Sequence, residues 1–137
     1  MGIPRKHRLK SRKSIQRLFS HGVRLKAYPV HLLFYLEPDA KGSAELSIAC
    51  SAPRRIHRRA VMRNRWKRRL KEAIRPLIPD LLTSMDHSGH RLDMMLIYVG
   101  KDELTPAEIQ IKIKVLLDRL KEYTYSPDTD AQNQDLA

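Results

Sequence analysis

Between Arg54 and Arg75 the chain reads RRIHRRAVMRNRWKRRLKEAIR, with 11 basic residues and a single acid, Glu72, in 22 positions. Nine of the cations are Arg and two are Lys. A planar guanidinium forks onto phosphate oxygens and stacks on bases, so this composition points to a polyanion partner rather than to acid–base or metal chemistry. Met62, Trp66, Leu70, Ala73, Ile74 and Leu77 recur every three or four residues, which predicts a helix from about Arg58 to Arg75 with one apolar stripe. Its far arc carries Asn64, Arg65, Lys67, Arg68, Lys71 and Arg75. Like charges at i,i+4 repel by roughly 0.2–0.5 kcal/mol per pair, so something anionic should relieve this arc. Asn64 in its midst adds a group able to hydrogen-bond a base or a ribose.

Other chemistries find less support. A nuclease site borne by the protein needs clustered carboxylates for metal or a histidine pair for proton transfer. The basic half holds only Glu37, Asp39, Glu45 and Glu72, with no D-x-D or E-x-x-H arrangement. His87 and His90 have ligand-like H-x-x-H spacing but no second Cys/His pair, so no zinc is expected. Cys50 is the one cysteine; it excludes an internal disulfide, fits a reducing compartment, and is expected to be a small core residue.

The whole chain has 137 residues, enough for one domain, and a net charge of +12. The charge is unevenly spread. Residues 1–75 hold 21 basic and 4 acidic side chains, and residues 76–137 hold 6 and 11. A field of one sign over half a small domain fits nucleic acid or an anionic membrane. The membrane is disfavoured because the apolar stripe of the basic helix is needed for the core. No run approaches the roughly 20 apolar residues of a bilayer span. The start, MGIPRKHRLKSRK, lacks the apolar stretch of a signal peptide. A soluble, cytoplasmic protein is expected.

Several elements must position the basic helix. Residues 1–10 read as a flexible basic arm. Ser11 caps a short helix that runs to about His21, carries Ile15, Leu18 and Phe19, and stops at Gly22. VHLLFYL (residues 30–36) and ELSIAC (residues 45–50) read as strands able to form a hairpin, and residues 23–28 as a short edge strand. Pro76 and Pro79 break the basic helix, and residues 80–91 read as an irregular connection. LDMMLIYV (residues 92–99) is a nearly continuous apolar run, which predicts a central strand. Thr105-Pro106-Ala107-Glu108 opens a final helix whose buried face is Ile109, Ile113, Leu116, Leu117 and Leu120. The order αβββαβα gives an α+β two-layer sandwich with about four strands and three helices. One domain spans residues 11–123, and residues 124–137 form a polar tail expected to be disordered. A helix-turn-helix DNA reader is mostly helical, so the strands argue against specific DNA binding.

The segment AVMRNRWKRRLKEA (residues 60–73) resembles the "RNR" signature helix of the protein subunit of bacterial ribonuclease P. Arg8-Leu9-Lys10 and IQRLFSHG (residues 15–22) are similar to that family's basic lead-in and first helix, and the likeness covers about residues 5–122. The resemblance implies an accessory subunit of a ribonucleoprotein that removes the 5′ leader of precursor tRNA. Catalysis would lie in the RNA, with magnesium bound mainly by that RNA and the substrate, and no organic cofactor. It implies a left-handed βαβ crossover, against the usual right-handed rule. It places the signature on Arg63, Asn64, Arg65, Lys67 and Arg68. Arg54, Arg55 and Arg59 form the basic approach, and Arg69 and Lys71 extend the RNA-binding set. Phe19, Phe34 and Tyr35 are candidates for a cleft that takes the single-stranded leader. Adjacent strand residues face opposite ways, so one of Phe34 and Tyr35 belongs to the core. Two positions depart from the family: Ile15 stands where Phe is frequent, and Ile56-His57-Arg58-Arg59 replaces a Gly-containing turn.

Overall fold

The computed structural model describes residues 3, 5–38, 45–86 and 90–125. Helix α1 (Arg12–His21) leads into strands β1 (Val23–Ala27), β2 (Val30–Pro38) and β3 (Glu45–Ser51). Helices α2 (Ala60–Ile74) and α3 (Ile78–Asp86) follow, then β4 (His90–Tyr98) and α4 (Pro106–Tyr125).

The four strands lie in the order β1-β2-β4-β3. β2 runs antiparallel to β1 and β4, whereas β3 runs parallel to β4. The near-continuous apolar run of β4 suits a strand flanked on both edges, and it occupies the interior between β2 and β3. The hairpin expected between residues 30–36 and 45–50 does not form. β2 instead folds back on the short strand β1, and β3 reaches the sheet on the far side of β4. Parallel pairing of β3 with β4 requires a crossover, and α2 and α3 supply it.

Alternation along the strands divides the core. Leu32, Phe34, Leu46, Ile48, Leu92, Met94, Leu96 and Tyr98 face the layer of α2, α3 and α4, where they meet Trp66, Leu70, Ile74, Leu81, Ile109, Ile113 and Leu116. Leu33, Met95 and Ile97 face the other way and are covered by Leu9 and by Leu18 of α1. The second sheet face is therefore roofed by α1 over part of its area.

Local signals explain the helix ends. Ser11 Oγ accepts from Ser14 N at 3.3 Å, and Gly22 N donates to Leu18 O at 2.9 Å. A Cβ on Gly22 would lie 2.2 Å from Leu18 O, so the direct passage from α1 into β1 requires glycine. Thr105 and Glu108 form a reciprocal capping box, at 3.0 and 3.2 Å.

Residues 80–91, expected to be an irregular connection, instead give 90–91 to the start of β4 and 80–86 to α3 (Ile78–Asp86). Pro79 sits in its first turn, where a missing N–H costs nothing, and Asp80 favours the positive end of the helix dipole. Ile78, Leu81 and Met85 are its buried face. The two prolines thus separate two helices instead of ending helical structure.

The amino-terminal arm is also tied down. Leu9 N donates to Ile48 O at 2.9 Å, His7 Nδ1 lies 3.0 Å from Leu46 O, and Ile3 is buried in the main core. Residues 7–9 line the outer edge of β3. His87 and the tail from residue 126 onward lie outside the described residues, as does the side chain of His90.

Candidate nucleic-acid interface

Trp66 fixes the rotation of α2. It is 1% exposed and stacks on Tyr98 of β4 with ring centroids 4.4 Å apart and planes 14° apart. With Trp66, Leu70, Ala73 and Ile74 turned to the sheet, Asn64, Arg65, Arg68, Lys71 and Arg75 are exposed, and Arg63, Lys67 and Arg69 are half-buried at the flanks. Met62 packs at the edge of the core. The stripe and the cationic arc expected from the periodicity are both present.

The cations of this helix are not equivalent. Arg65 Nη1 and Arg69 Nη2 share the carboxylate of Glu103, at 3.4 and 3.1 Å. Arg69 also donates to Leu104 O at 2.6 Å and lies over the Trp66 ring at 5.3 Å. Arg63 Nη1 donates to the backbone oxygens of His57 and Arg58, at 2.9 and 2.8 Å. Among the described residues no carboxylate pairs with Lys67, Arg68 or Lys71. These three can meet an anion without first giving up a carboxylate, and Asn64 is exposed beside them.

The approach to α2 is a tight turn held from both sides. Ile56 N and His57 N both donate to Pro53 O, at 3.1 and 2.9 Å. The buried His57 ring lies 3.2 Å from Tyr98 O through Nε2. This turn presents Arg54, Arg55, Arg58 and Arg59 to solvent. Arg54, Arg55 and Arg58 line an open bay of about 590 Å³.

A second groove, of about 360 Å³, runs along the β3 edge between the amino-terminal segment and α2. Arg8, Lys10 and Lys71 supply its charge, and Ile48, Ala49 and Cys50 its floor. Burial pushes the Cys50 thiol up to about 12, against the pull of Lys71 and Lys67. A thiol in that state is protonated near neutral pH and a poor nucleophile. Arg8 and Lys10 reach this groove because Leu9 is hydrogen-bonded to β3. Local sequence carries no signal for that pairing beyond the charge of the arm itself.

The α1-covered face of the sheet carries the other candidate. Tyr35 points to this face, half-buried, with the Arg17 guanidinium 4.9 Å above its ring. Arg17 bridges Glu37 at 3.2 Å and the buried Asp93 at 3.3 Å. Burial holds the Asp93 carboxyl above the usual carboxylate range, while Arg91 and Arg17 pull it down. Phe19 of α1 is 56% exposed, and Ile15 packs beside Leu18 and Leu33.

Phe34 is a different case. It is 2% exposed, faces α4, and meets the Tyr123 ring edge-on at 5.3 Å. The alternation of β2 puts it beneath the helical layer, so it is a core residue and not a leader-cleft aromatic. Of the pair, Tyr35 is the one on the α1 side.

Among the described residues no group of three or more His, Cys, Asp or Glu side chains could hold a metal ion, and no helix is long and apolar enough to cross a membrane.

Comparison with known proteins bears on the family and the fold. The family model described as Ribonuclease P matches residues 3–121. The ribonuclease P protein component of Microcystis aeruginosa is 35% identical over 83 residues, 59% of this chain and 68% of that one. The corresponding component of a Synechococcus strain is 29% identical over 136 residues, 97% of this chain and 95% of that one. Among solved structures, the Staphylococcus aureus RNase P protein aligns with a TM-score of 0.62 at 19% identity, covering 84% of this chain and 95% of that one. The Thermotoga maritima protein aligns at 0.61 and 20%, covering 82% and 96%. With its sheet order, its basic crossover helix and a match over nearly all of the described fold, the chain belongs to the family of bacterial ribonuclease P protein components.

Proposed function

We propose that this protein is the accessory subunit of a ribonuclease P ribonucleoprotein and assists removal of the 5′ leader from precursor tRNA in the cytoplasm. The observation that carries this reading is the segregation of charge on α2: one face is fixed by Trp66, Leu70 and Ile74, and the opposite face offers Asn64, Lys67, Arg68 and Lys71 with no acid paired to the three cations among the described residues. That face, continued by the arginines of residues 54–59, would bind the catalytic RNA through its phosphates. Magnesium, bound by that RNA and the substrate, supplies the metal chemistry of the reaction.

The protein's own contribution is binding and orientation. Cations lower the repulsion between two RNA molecules brought together at the cleavage site. The α1-covered sheet face offers Tyr35, Arg17 and Phe19 to a single-stranded leader, and base stacking of this kind is worth about 1–3 kcal/mol per base.

The test is cleavage of a precursor tRNA with a 5′ extension by the cognate catalytic RNA at low magnesium, with and without this protein, and by the protein alone. Stimulation only in the presence of the RNA is expected. Cleavage by the protein alone would place an active site in it, and no effect in either arm would overturn the assignment. If about 6–8 phosphates are contacted, log K for RNA binding should fall with log salt at a slope of about −4 to −7.

A further inference from the structure

We infer that Arg63, the first residue of the signature triplet, is a positioning residue that locks the 53–59 turn in place, and that it reaches the RNA only through the arginines this turn presents. The inference rests on the proposed RNA-binding function and refines it.

The guanidinium of Arg63 is directed back along the chain. Its Nη1 donates to the carbonyl oxygens of His57 and Arg58, at 2.9 and 2.8 Å. It lies in the first turn of α2, which has no acid and no side-chain cap; Arg59 is the cap residue. A cation there opposes the helix dipole, so the helix alone gives no reason for an arginine at this position. The two carbonyls do. They belong to the turn, and pairing them with a guanidinium satisfies acceptors that the helix cannot reach.

The turn has two further anchors, the bonds of Ile56 N and His57 N to Pro53 O and the contact of His57 Nε2 with Tyr98 O. The Arg63 clamp adds a tether to α2 itself. What the tether orients is charge: Arg54, Arg55, Arg58 and Arg59 are all exposed on this turn, and three of them line one bay. Arg68 differs, being exposed with no carboxylate paired to it among the described residues.

A double-mutant cycle decides between clamp and contact. Binding to the catalytic RNA is measured for the full-length wild type, Arg63→Ala, the pair Arg58→Ala with Arg59→Ala, and the triple variant, with circular dichroism as the check on folding. The clamp predicts that Arg63→Ala lowers the salt slope by more than one phosphate contact, which is worth about 0.7–0.9. In the background lacking Arg58 and Arg59 its fold-loss should be smaller than in the wild type, because only Arg54 and Arg55 remain for the turn to orient. A direct contact predicts a slope change of one contact and the same fold-loss in both backgrounds, and that result would overturn the inference.

Two measurements do not depend on that cycle. In the free protein, amide exchange at Ile56 and His57 should accelerate in Arg63→Ala, and unchanged protection would refute the clamp. In the wild type, NMR signals of the Arg63 guanidinium should stay in place when catalytic RNA is added while those of Arg68 shift. Equal shifts would overturn the inference without any variant. Failure of the wild type to bind the RNA would overturn the functional reading instead, and the exchange measurement would still decide whether the clamp exists.

Discussion

Replacing Phe34 and Tyr35 separately by alanine should split stability from leader recognition, because one peptide bond divides the two faces of β2. Phe34 is 2% exposed and meets Tyr123 edge-on at 5.3 Å. Truncation of a buried Phe costs about 3–5 kcal/mol from transfer and cavity terms. Loss of the edge-on pair belongs to the same figure or adds up to about 1 kcal/mol. With a urea dependence near 1.5 kcal/mol/M, the unfolding midpoint of Phe34→Ala should fall by about 2–3 M. Tyr35 is half-buried with Arg17 over its ring at 4.9 Å, so its truncation should cost less, about 1–2 kcal/mol. The functional effect runs the other way. Removal of one stacking surface worth about 1–3 kcal/mol should weaken precursor tRNA relative to mature tRNA by about 5- to 150-fold in Tyr35→Ala. At a temperature where it remains folded, Phe34→Ala should leave that ratio within about twofold of wild type. The assay is holoenzyme binding of the two tRNAs, alongside urea unfolding followed by Trp66 fluorescence. Loss of discrimination in Phe34→Ala with an unchanged midpoint would refute the assignment of faces. An equal loss of both tRNAs in Tyr35→Ala would refute the cleft role.

Three further outcomes follow from the packing and charge described above. At pH 8 a thiol pushed up to about 12 is overwhelmingly protonated, so Cys50 in the native protein should react with iodoacetamide at least 100-fold more slowly than in urea; equal rates would contradict its burial. Asp93 has a folded pKa above its unfolded value of about 3.9, so its contribution is fully present below that value and is lost as pH rises through the folded one. Urea unfolding at pH 3.5 and 7 should therefore show the wild type losing stability relative to Asp93→Asn over that interval, and a relative gain would reverse the sign of the argument. In Gly22→Ala the new Cβ meets Leu18 O at 2.2 Å, which should lower stability by about 1–3 kcal/mol, and a midpoint at the wild-type value would show that α1 can shift freely at its end.

The parts of the fold legible in the sequence are those where periodicity and chemistry agree over many residues. The stripe of α2, the capping box at Thr105 and the apolar run of β4 each combine two or more independent signals, and each lies where expected. The pairing of strands was not legible. Residues 30–36 and 45–50 look like hairpin partners because they are close in sequence, but β4, apolar on both faces, lies between β2 and β3 and separates them. Residues 78–86 illustrate a second limit. Two prolines suggest a break, yet Pro79 in a first turn is a start signal, and the spacing of Ile78, Leu81 and Met85 was available to say so. The arm misleads for a third reason: its charge suggests solvation, while Ile3, His7 and Leu9 anchor it to the β3 edge through contacts about 40 residues away in sequence, as with the His7 to Leu46 separation of 39.

Eleven cations in 22 positions look interchangeable in the sequence, and the structure sorts them by what their neighbours leave open. Arg63 is committed to two carbonyls of its own chain. Arg65 and Arg69 share one carboxylate, and Arg69 is further held by a carbonyl and the Trp66 face. A pair as exposed as Arg65 with Glu103 contributes little to stability, so Glu103 leaves Arg65 available to an RNA phosphate at small cost. Lys67, Arg68 and Lys71 and the arginines of the turn have no acid paired to them among the described residues. Removal of one charge from this helix should thus have effects that differ by residue even though the change in net charge is the same. Loss at Arg68 should behave as one phosphate contact, loss at Arg69 should loosen the packing over Trp66, and loss at Arg63 should disorder the turn. A scan in which all three variants shared one salt slope and one stability would mean that the RNA senses only the overall field, and the arrangement around Glu103 and the turn would then have no part in recognition.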